Sequence, residues 1–160
     1  MKTCILGVGN ELWGDDGIGP VVVDKLKSKK WKVPVDLFSI GNDLYRIYEY
    51  LGEYRKIVII DALPPGSELG KLHVINWRTL STNPNSLLSL HDIDLISLVN
   101  QANRLSHTSI TILGIETHSI TWRAGLSPEL NQKLSFIETQ VYQFMIEKLS
   151  KIKHADYARR

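Results

Sequence analysis

The chain has 160 residues, 43% of them hydrophobic, so we expect one folded domain and exclude an intrinsically disordered chain. The formal net charge is +2, but the last ten residues alone carry a net +3, which leaves a net −1 for the rest. Because a near-neutral body lacks a phosphate-binding face, we expect no nucleic-acid partner.

The cysteine content and the hydropathy pattern predict the cellular compartment of the protein. A single cysteine, Cys4, rules out an intrachain disulfide and suits a reducing cytosol. The apolar stretch in residues 1–7 is too short for a signal peptide, and no run approaches the roughly 18 apolar residues of a membrane span. We therefore expect a cytoplasmic protein without membrane insertion, with Cys4 as a small buried hydrophobic residue.

Apolar, β-branched runs alternate with segments of helical period along the chain. Strands are predicted at residues 3–8, 35–40, 56–61, 71–75 and 109–114. Helices are predicted from Ile18, from Leu44, over Ile93 to Ala102, and from Pro128 after a capping Ser127. The polar residues 77–90 are expected to form a loop.

The order of these elements predicts the fold. A β-α-β-α-β opening implies parallel strands joined by right-handed crossovers. We therefore predict a three-layer α/β sandwich in which helices flank a twisted, mostly parallel five-stranded sheet. The wetter strand at 71–75 is expected at an edge and is the candidate for an antiparallel strand. Residues 1–150 are assigned to a single domain and residues 151–160 to a basic C-terminal tail.

The loop after the first strand, residues 9–19, is unusual in composition. It is rich in glycine and carries two adjacent carboxylates, Asp15 and Asp16. It also contains Trp13, a large apolar residue whose exposure to solvent would be unfavourable. In open α/β sheets ligands bind beyond the carboxyl ends of the strands, so this loop is the first candidate for a site.

Two further residues are expected at the same edge of the sheet. Asp61 ends the apolar third strand, where a carboxylate is costly unless it is hydrogen-bonded or bound to a cation. His91 ends the long polar loop, just before the third predicted helix. If Asp16, Asp61 and His91 converge, two carboxylate oxygens and an imidazole would hold a divalent ion and leave coordination positions open.

Each of these residues also has a purely structural interpretation. Asp15 or Asp16 is suited to capping the helix that begins near Ile18. Asp61 is suited to accepting backbone hydrogen bonds in the proline-containing turn that follows it. His91 fits an ordinary loop position.

Other polar residues are weaker candidates. Glu116 and His118 follow the fifth strand and reach the same edge, so they are rival ligands that the sequence does not exclude. His73 is expected to point outward from its strand, and His107 to lie in a turn.

A dinucleotide-binding motif is only weakly indicated. Gly7-Val8-Gly9 follows a strand, but Leu12 stands where the pattern requires a third glycine. The second strand also lacks the expected terminal acid.

Four segments, in order and with matching spacing, resemble the hydrogenase maturation endopeptidases. They are GVGNELWGDDGIG (residues 7–19), IIDA (59–62), SLH (89–91), and GIE with GLSP (114–116 and 125–128). The resemblance extends from about residue 3 to residue 148. It implies a twisted sheet between helix layers, of the phosphorylase/hydrolase-like type.

The resemblance also implies roles for residues. Asp16, Asp61 and His91 would be the catalytic, metal-contacting residues. Asn10, Asp15, Glu116 and His118 are then candidates for supporting those contacts or for lining the substrate groove. The ion would be nickel that belongs to the substrate, although zinc or cadmium would be able to occupy the site in vitro.

The resemblance further implies the reaction. An endopeptidase of this kind removes a short C-terminal extension from the large-subunit precursor of a nickel–iron hydrogenase, once the metal centre has been inserted. We expect it to act as a monomer in the cytoplasm. The chain has no His-Glu-x-x-His or Gly-x-Ser-x-Gly motif, so an ordinary zinc peptidase or serine hydrolase is disfavoured. A non-catalytic nucleotide-binding module and a metal-dependent chaperone are the two alternatives.

Overall fold

Five strands form one sheet in the order β2-β1-β3-β5-β4. The computed structural model describes the backbone of residues 2–75 and 90–157, without the side chains of 90–94, 96, 103, 105 and 150–157. The strands are β1 (Thr3–Val8), β2 (Val35–Gly41), β3 (Lys56–Leu63), β4 (Leu72–Ile75) and β5 (Ser109–Glu116). The first three and β5 are parallel, whereas β4 pairs antiparallel with β5 at the edge. The predicted sheet is therefore confirmed, including its antiparallel edge strand.

Helices cover both faces of this sheet. They are α1 (Ile18–Leu26), α2 (Ile47–Tyr50), α3 (Leu90–Leu105) and α4 (Pro128–Tyr157), with short 3-10 turns at Gly14–Gly17 and Leu44–Arg46. One hydrophobic cluster joins α1 and α4 to one face, and a second joins α2 and α3 to the other. The three-layer arrangement is thus confirmed. No helix in the described part of the chain has the length and apolar character that a membrane crossing requires.

The buried stripe of α4 follows from its sequence. Its apolar residues recur every three to four positions and lie in the first cluster: Leu130, Leu134, Ile137, Val141 and Met145. Ser127 precedes the helix, and its Oγ accepts a hydrogen bond from the backbone N–H of Leu130 at 3.2 Å. The predicted cap and the predicted stripe are both confirmed.

Several element ends differ from the prediction. The third strand continues to Leu63, so Asp61 lies inside it, and β5 continues through Glu116. Helix α3 begins at Leu90, which places His91 in its first turn rather than before it. Strand propensity cannot mark these ends, because the polar residues there are held by pairing with neighbouring strands. The predicted loop at 77–90 lies almost entirely outside the described residues.

The C-terminal helix extends into the predicted tail. Helix α4 is continuous to Tyr157 and passes the expected boundary at residue 150 without an interruption. The division into a domain and a basic tail stays a prediction.

Candidate functional site

The loop after β1 folds back onto the carboxyl ends of two strands. Gly9 has φ +129°, and a Cβ there would lie 1.9 Å from the carbonyl oxygen of Asp16. A Cβ on Gly19 would lie 2.2 Å from the carbonyl of Val8 and 2.4 Å from that of Ile60. Only glycine allows this approach. The start of α1 therefore lies directly over the ends of β1 and β3, and the backbone of Asp16 lies against Gly9, just after β1.

Asp15 is fully buried and joins two loops. Its Oδ1 accepts a hydrogen bond from the backbone N–H of Ser127 at 2.7 Å. Its Oδ2 accepts bonds from the Ser127 hydroxyl at 3.0 Å and from the backbone N–H groups of His118 and Ser119 at 3.0 and 3.1 Å. We call this group of contacts the Asp15 junction. Since both oxygens are used, this carboxylate holds the structure together.

Asp16 points elsewhere, although it is the next residue. It is half-buried, and its Oδ2 accepts the backbone N–H of Asn10 at 2.7 Å. Asn10 in turn accepts the N–H of Leu12 through its side-chain oxygen at 3.0 Å. The residue that precedes α1 is Gly17, with no side-chain cap. The alternative in which Asp15 or Asp16 caps this helix is therefore wrong.

Asp61 lies close to Asp16 in the topology of the sheet. Strands β1 and β3 are neighbours, and Gly7 pairs with Ile60, directly before Asp61. Asp61 is 7% exposed as a residue, and its Oδ1 accepts the N–H of Ala62 at 2.8 Å. Side chains alternate between the faces of a strand. Because Ile59 belongs to the cluster beneath α3, Asp61 lies on the face that α3 covers.

Helix α3 carries His91 toward this edge. The chain leaves α3 and begins β5 at the amino edge of the sheet, where the N–H of Ser109 bonds to the carbonyl of Arg55. The helix has 16 residues and is about 24 Å long, and it packs on the sheet through Leu95 and Val99. Its first turn therefore lies toward the carboxyl edge. The imidazole of His91 is outside the described residues, so the convergence of all three groups stays a prediction.

The rival ligands have other contacts. Glu116 Oε2 accepts the backbone N–H of Glu68 at 2.8 Å, and its Oε1 lies 2.6 Å from Nε2 of His73. The backbone N–H of Glu68 and then the hydrogen bond to His73 lower the pKa of Glu116. The His73 side chain, which is 38% exposed, therefore bonds to Glu116 at the sheet edge, and its outward direction stays a prediction.

No third ligand is found among the described residues. In that part of the chain, no three side chains of His, Cys, Asp or Glu lie close enough together to hold a metal ion. His118 has an exposed side chain, and only its backbone reaches Asp15. Neither Glu116 nor His118 thus completes an ion site with Asp16 and Asp61. Their supporting roles, and that of Asn10, stay predictions.

Cys4 has no part in the site. It is fully buried inside β1, and burial raises the pKa of its thiol to about 12. A thiol with such a pKa is not a nucleophile at neutral pH. The prediction of a small buried hydrophobic residue is confirmed.

An exposed pair of aromatic residues was not expected from the sequence. Trp13 is 43% exposed, contrary to the expectation that it avoids solvent, and its ring meets that of Trp122 edge to face at 5.5 Å. Trp122 lies in the loop between β5 and α4. The only signal for it in the sequence is the pair of apolar residues, Ile120 and Trp122, in an otherwise polar segment.

This edge of the sheet combines two carboxylates with an exposed apolar border. Carboxylate oxygens are ligands for divalent ions, and an imidazole from α3 would supply a softer one. Such a set suits an ion that brings further ligands of its own.

Comparison with known proteins gives a consistent picture. A family model described as hydrogenase maturation protease matches residues 20–144. The chain is 25% identical over 146 residues to the hydrogenase 3 maturation protease of Escherichia coli K12, covering 89% of this chain and 88% of that protein. The solved structure of the hydrogenase maturating endopeptidase HybD from E. coli superposes with a TM-score of 0.73 at 20% identity, covering 92% and 94% of the two chains. That of a hydrogenase 2 maturation peptidase from a Thaumarchaeota archaeon gives 0.64 at 27% identity, covering 94% and 99%.

Proposed function

The chain belongs to the hydrogenase maturation protease family, and from this premise we propose that it removes the C-terminal extension of a nickel-loaded hydrogenase large-subunit precursor. The family is shown by a model that matches well over half of the sequence. The chain is accordingly an endopeptidase, and a non-catalytic nucleotide-binding module is not its function. The precursor, its nickel and the place of the cut are the parts that we propose.

Nickel is the substrate's own ion in this proposal. Asp16 follows β1 and Asp61 lies near the end of β3, and these two strands are neighbours. Both residues are thus at the edge where the parallel strands end. The observation that carries the proposal is that one loop packs Asp16 against Gly9, just after β1, and Gly19 against Ile60, the residue before Asp61. Neither carboxylate lies in the Asp15 junction. In this proposal they complete the coordination of an ion that arrives on the precursor, together with His91 from the first turn of α3.

Recognition through the ion would position the scissile bond. An anchored nickel centre fixes the chain that follows its last ligand, and such proximity lowers the barrier to reaction. Water that attacks the peptide carbonyl is activated either by the ion or by one of the two carboxylates acting as a general base. A precursor without nickel lacks the anchor and escapes cleavage, so processing becomes a checkpoint on cofactor insertion.

Oligomeric state, compartment and metal occupancy are further parts of the proposed function. We propose that it acts as a monomer in the cytoplasm, where the precursor acquires its metal. Zinc or cadmium is proposed to occupy the same carboxylates and imidazole in vitro, because all three ions accept mixed nitrogen and oxygen ligands.

Mass spectrometry of the precursor tests the proposal. Candidate large-subunit precursors, with and without nickel, are incubated with this protein, and the intact masses are recorded. We expect a loss of mass equal to a C-terminal peptide from the nickel-loaded precursor alone. A metal-dependent chaperone would leave the mass unchanged in both samples, and cleavage of both would refute recognition through nickel.

A further inference from the structure

The border of the candidate site carries an apolar surface that folding leaves exposed. Leu12, Trp13, Ile120 and Trp122 are 54%, 43%, 40% and 72% exposed. We call these four residues the aromatic surface. Two tryptophans kept at a protein surface expose a large apolar area, and contiguous patches of this kind mark interaction sites.

Backbone hydrogen bonds hold the aromatic surface in place. The N–H of Arg123 bonds to the carbonyl of Leu12 at 3.1 Å, and the N–H of Gly14 bonds to the carbonyl of Arg123 at 2.8 Å. A third bond joins the N–H of Gly125 to the carbonyl of Glu11 at 2.8 Å. The two loops thus form a short ladder, and the surface exists before any partner arrives.

The Asp15 junction fixes the same two loops from beneath. Asp15 belongs to the first loop and accepts hydrogen bonds from both ends of the second, at His118–Ser119 and at Ser127. A buried carboxylate therefore sets the position of Trp122 relative to Trp13.

The aromatic surface is continuous with the candidate site. Trp13 and Asp16 are three residues apart, and the N–H of Asp16 bonds to the carbonyl of Trp13 at 3.3 Å. A polypeptide held at Asp16 would reach the indole rings within a few residues, since an extended chain covers about 3.3 Å per residue. Glu11 and Arg123, which are next to Leu12 and Trp122 in the sequence, carry one charge of each sign.

We propose that the aromatic surface binds an apolar segment of the precursor polypeptide, close in sequence to the bond that is cut. The inference rests on the proposed function, because it takes the precursor as the substrate. An endopeptidase must hold its substrate chain beside the reacting bond, and the aromatic surface is the apolar part of that border. Nickel then provides one contact with the substrate, and Trp13 and Trp122 provide a second that does not depend on the ion.

Steady-state kinetics with nickel-loaded precursor test this inference. Trp122→Ala and Trp13→Ala should each raise KM about 10-fold and change kcat less than about 2-fold, as expected for a contact that binds without reacting. Trp122→Phe should restore most of the loss. Phe136→Ala is the matched control, because Phe136 is an exposed aromatic residue (58%) on α4, outside both loops. An unchanged KM in both tryptophan variants would overturn the inference.

Two further measurements separate the possible failures. Binding of the precursor is titrated directly, with and without nickel, so that a wild-type protein that binds but does not cut refutes the proposed function alone. Weaker binding by Trp122→Ala to nickel-free precursor would still support the aromatic surface. Sedimentation is run at the same concentrations, and a dimer that Trp122→Ala dissociates, with KM unchanged, would assign the surface to a second copy instead.

Discussion

Asp15 and Asp16 are adjacent in one loop but belong to two regions with opposite properties. Beneath the loop, Asp15 is fully buried, and both of its oxygens accept hydrogen bonds from residues 103 to 112 positions away. Above it, Asp16 is half-buried, and among the described residues its carboxylate accepts a hydrogen bond from Asn10, within the same loop. Successive residues of a 3-10 turn point about 120° apart, which separates the two side chains. The difference teaches that two adjacent acids in a motif can divide into one that holds the loops together and one that stays partly exposed at the sheet edge.

The largest predicted effect is on precursor cleavage, at the three residues that we propose to contact the ion. Asp16→Asn and Asp61→Asn keep an oxygen for the backbone N–H groups of Asn10 and Ala62, so both variants should fold like the wild type. Each should process nickel-loaded precursor at least about 100-fold more slowly, because a misplaced scissile bond costs roughly that factor. His91→Ala is expected to do the same. Wild-type rates of precursor cleavage in any of these variants would remove that residue from the site.

The next largest effect is a loss of stability when the Asp15 junction is removed. Asp15→Ala leaves three backbone N–H groups and the Ser127 hydroxyl without their acceptor in a buried position. The free energy of unfolding should fall by about 3 kcal/mol, since buried donors that lose their partner cost 1–3 kcal/mol or more. Urea denaturation would measure this loss. The comparison fails if Asp16→Ala lowers stability as much as Asp15→Ala does.

A smaller effect is expected at the partner of Asp15. Ser127→Ala removes the hydroxyl that donates to Asp15 and also accepts the N–H of Leu130 at the start of α4. Losing such a helix cap costs about 1 kcal/mol, so thermal unfolding should shift downward by a few degrees. Ser127→Thr keeps the hydroxyl and serves as the control. A shift of equal size in both variants would mean that the hydroxyl is not what stabilises the helix.

The smallest effect concerns the pH dependence of stability at Glu116. This carboxyl has its pKa lowered from 4.5 by the backbone N–H of Glu68 and by His73. A depressed folded pKa gives stability that is fully present above pH 4.5 and is lost as the pH falls through the folded value. Glu116→Gln should therefore be less stable than the wild type at pH 6, and the difference should shrink below pH 4. A constant difference across that range would show that the charge is not involved.

The sequence predicted the sheet well because apolar runs record burial directly. The run at Ile57–Ile60 is buried on both faces, as its composition indicated. The divided roles of Asp15 and Asp16 were not predictable in this way, since the partners of Asp15 are more than 100 residues away in the chain. The pairing of His73 with Glu116 likewise depends on the antiparallel register of β4 with β5. The positions of the strand ends made Asp16 a candidate ligand in advance, but they did not reveal that Asp15 is buried.

The central claim is that Asp16, Asp61 and His91 bind the nickel of the precursor. X-ray absorption at the nickel edge tests it most directly, in a complex stalled by proline placed after the scissile bond of the precursor. We predict that complex formation adds oxygen and nitrogen neighbours to the nickel, and that Asp16→Asn removes one of them while Asp15→Asn does not. A nickel spectrum that is the same with and without this protein would contradict the account.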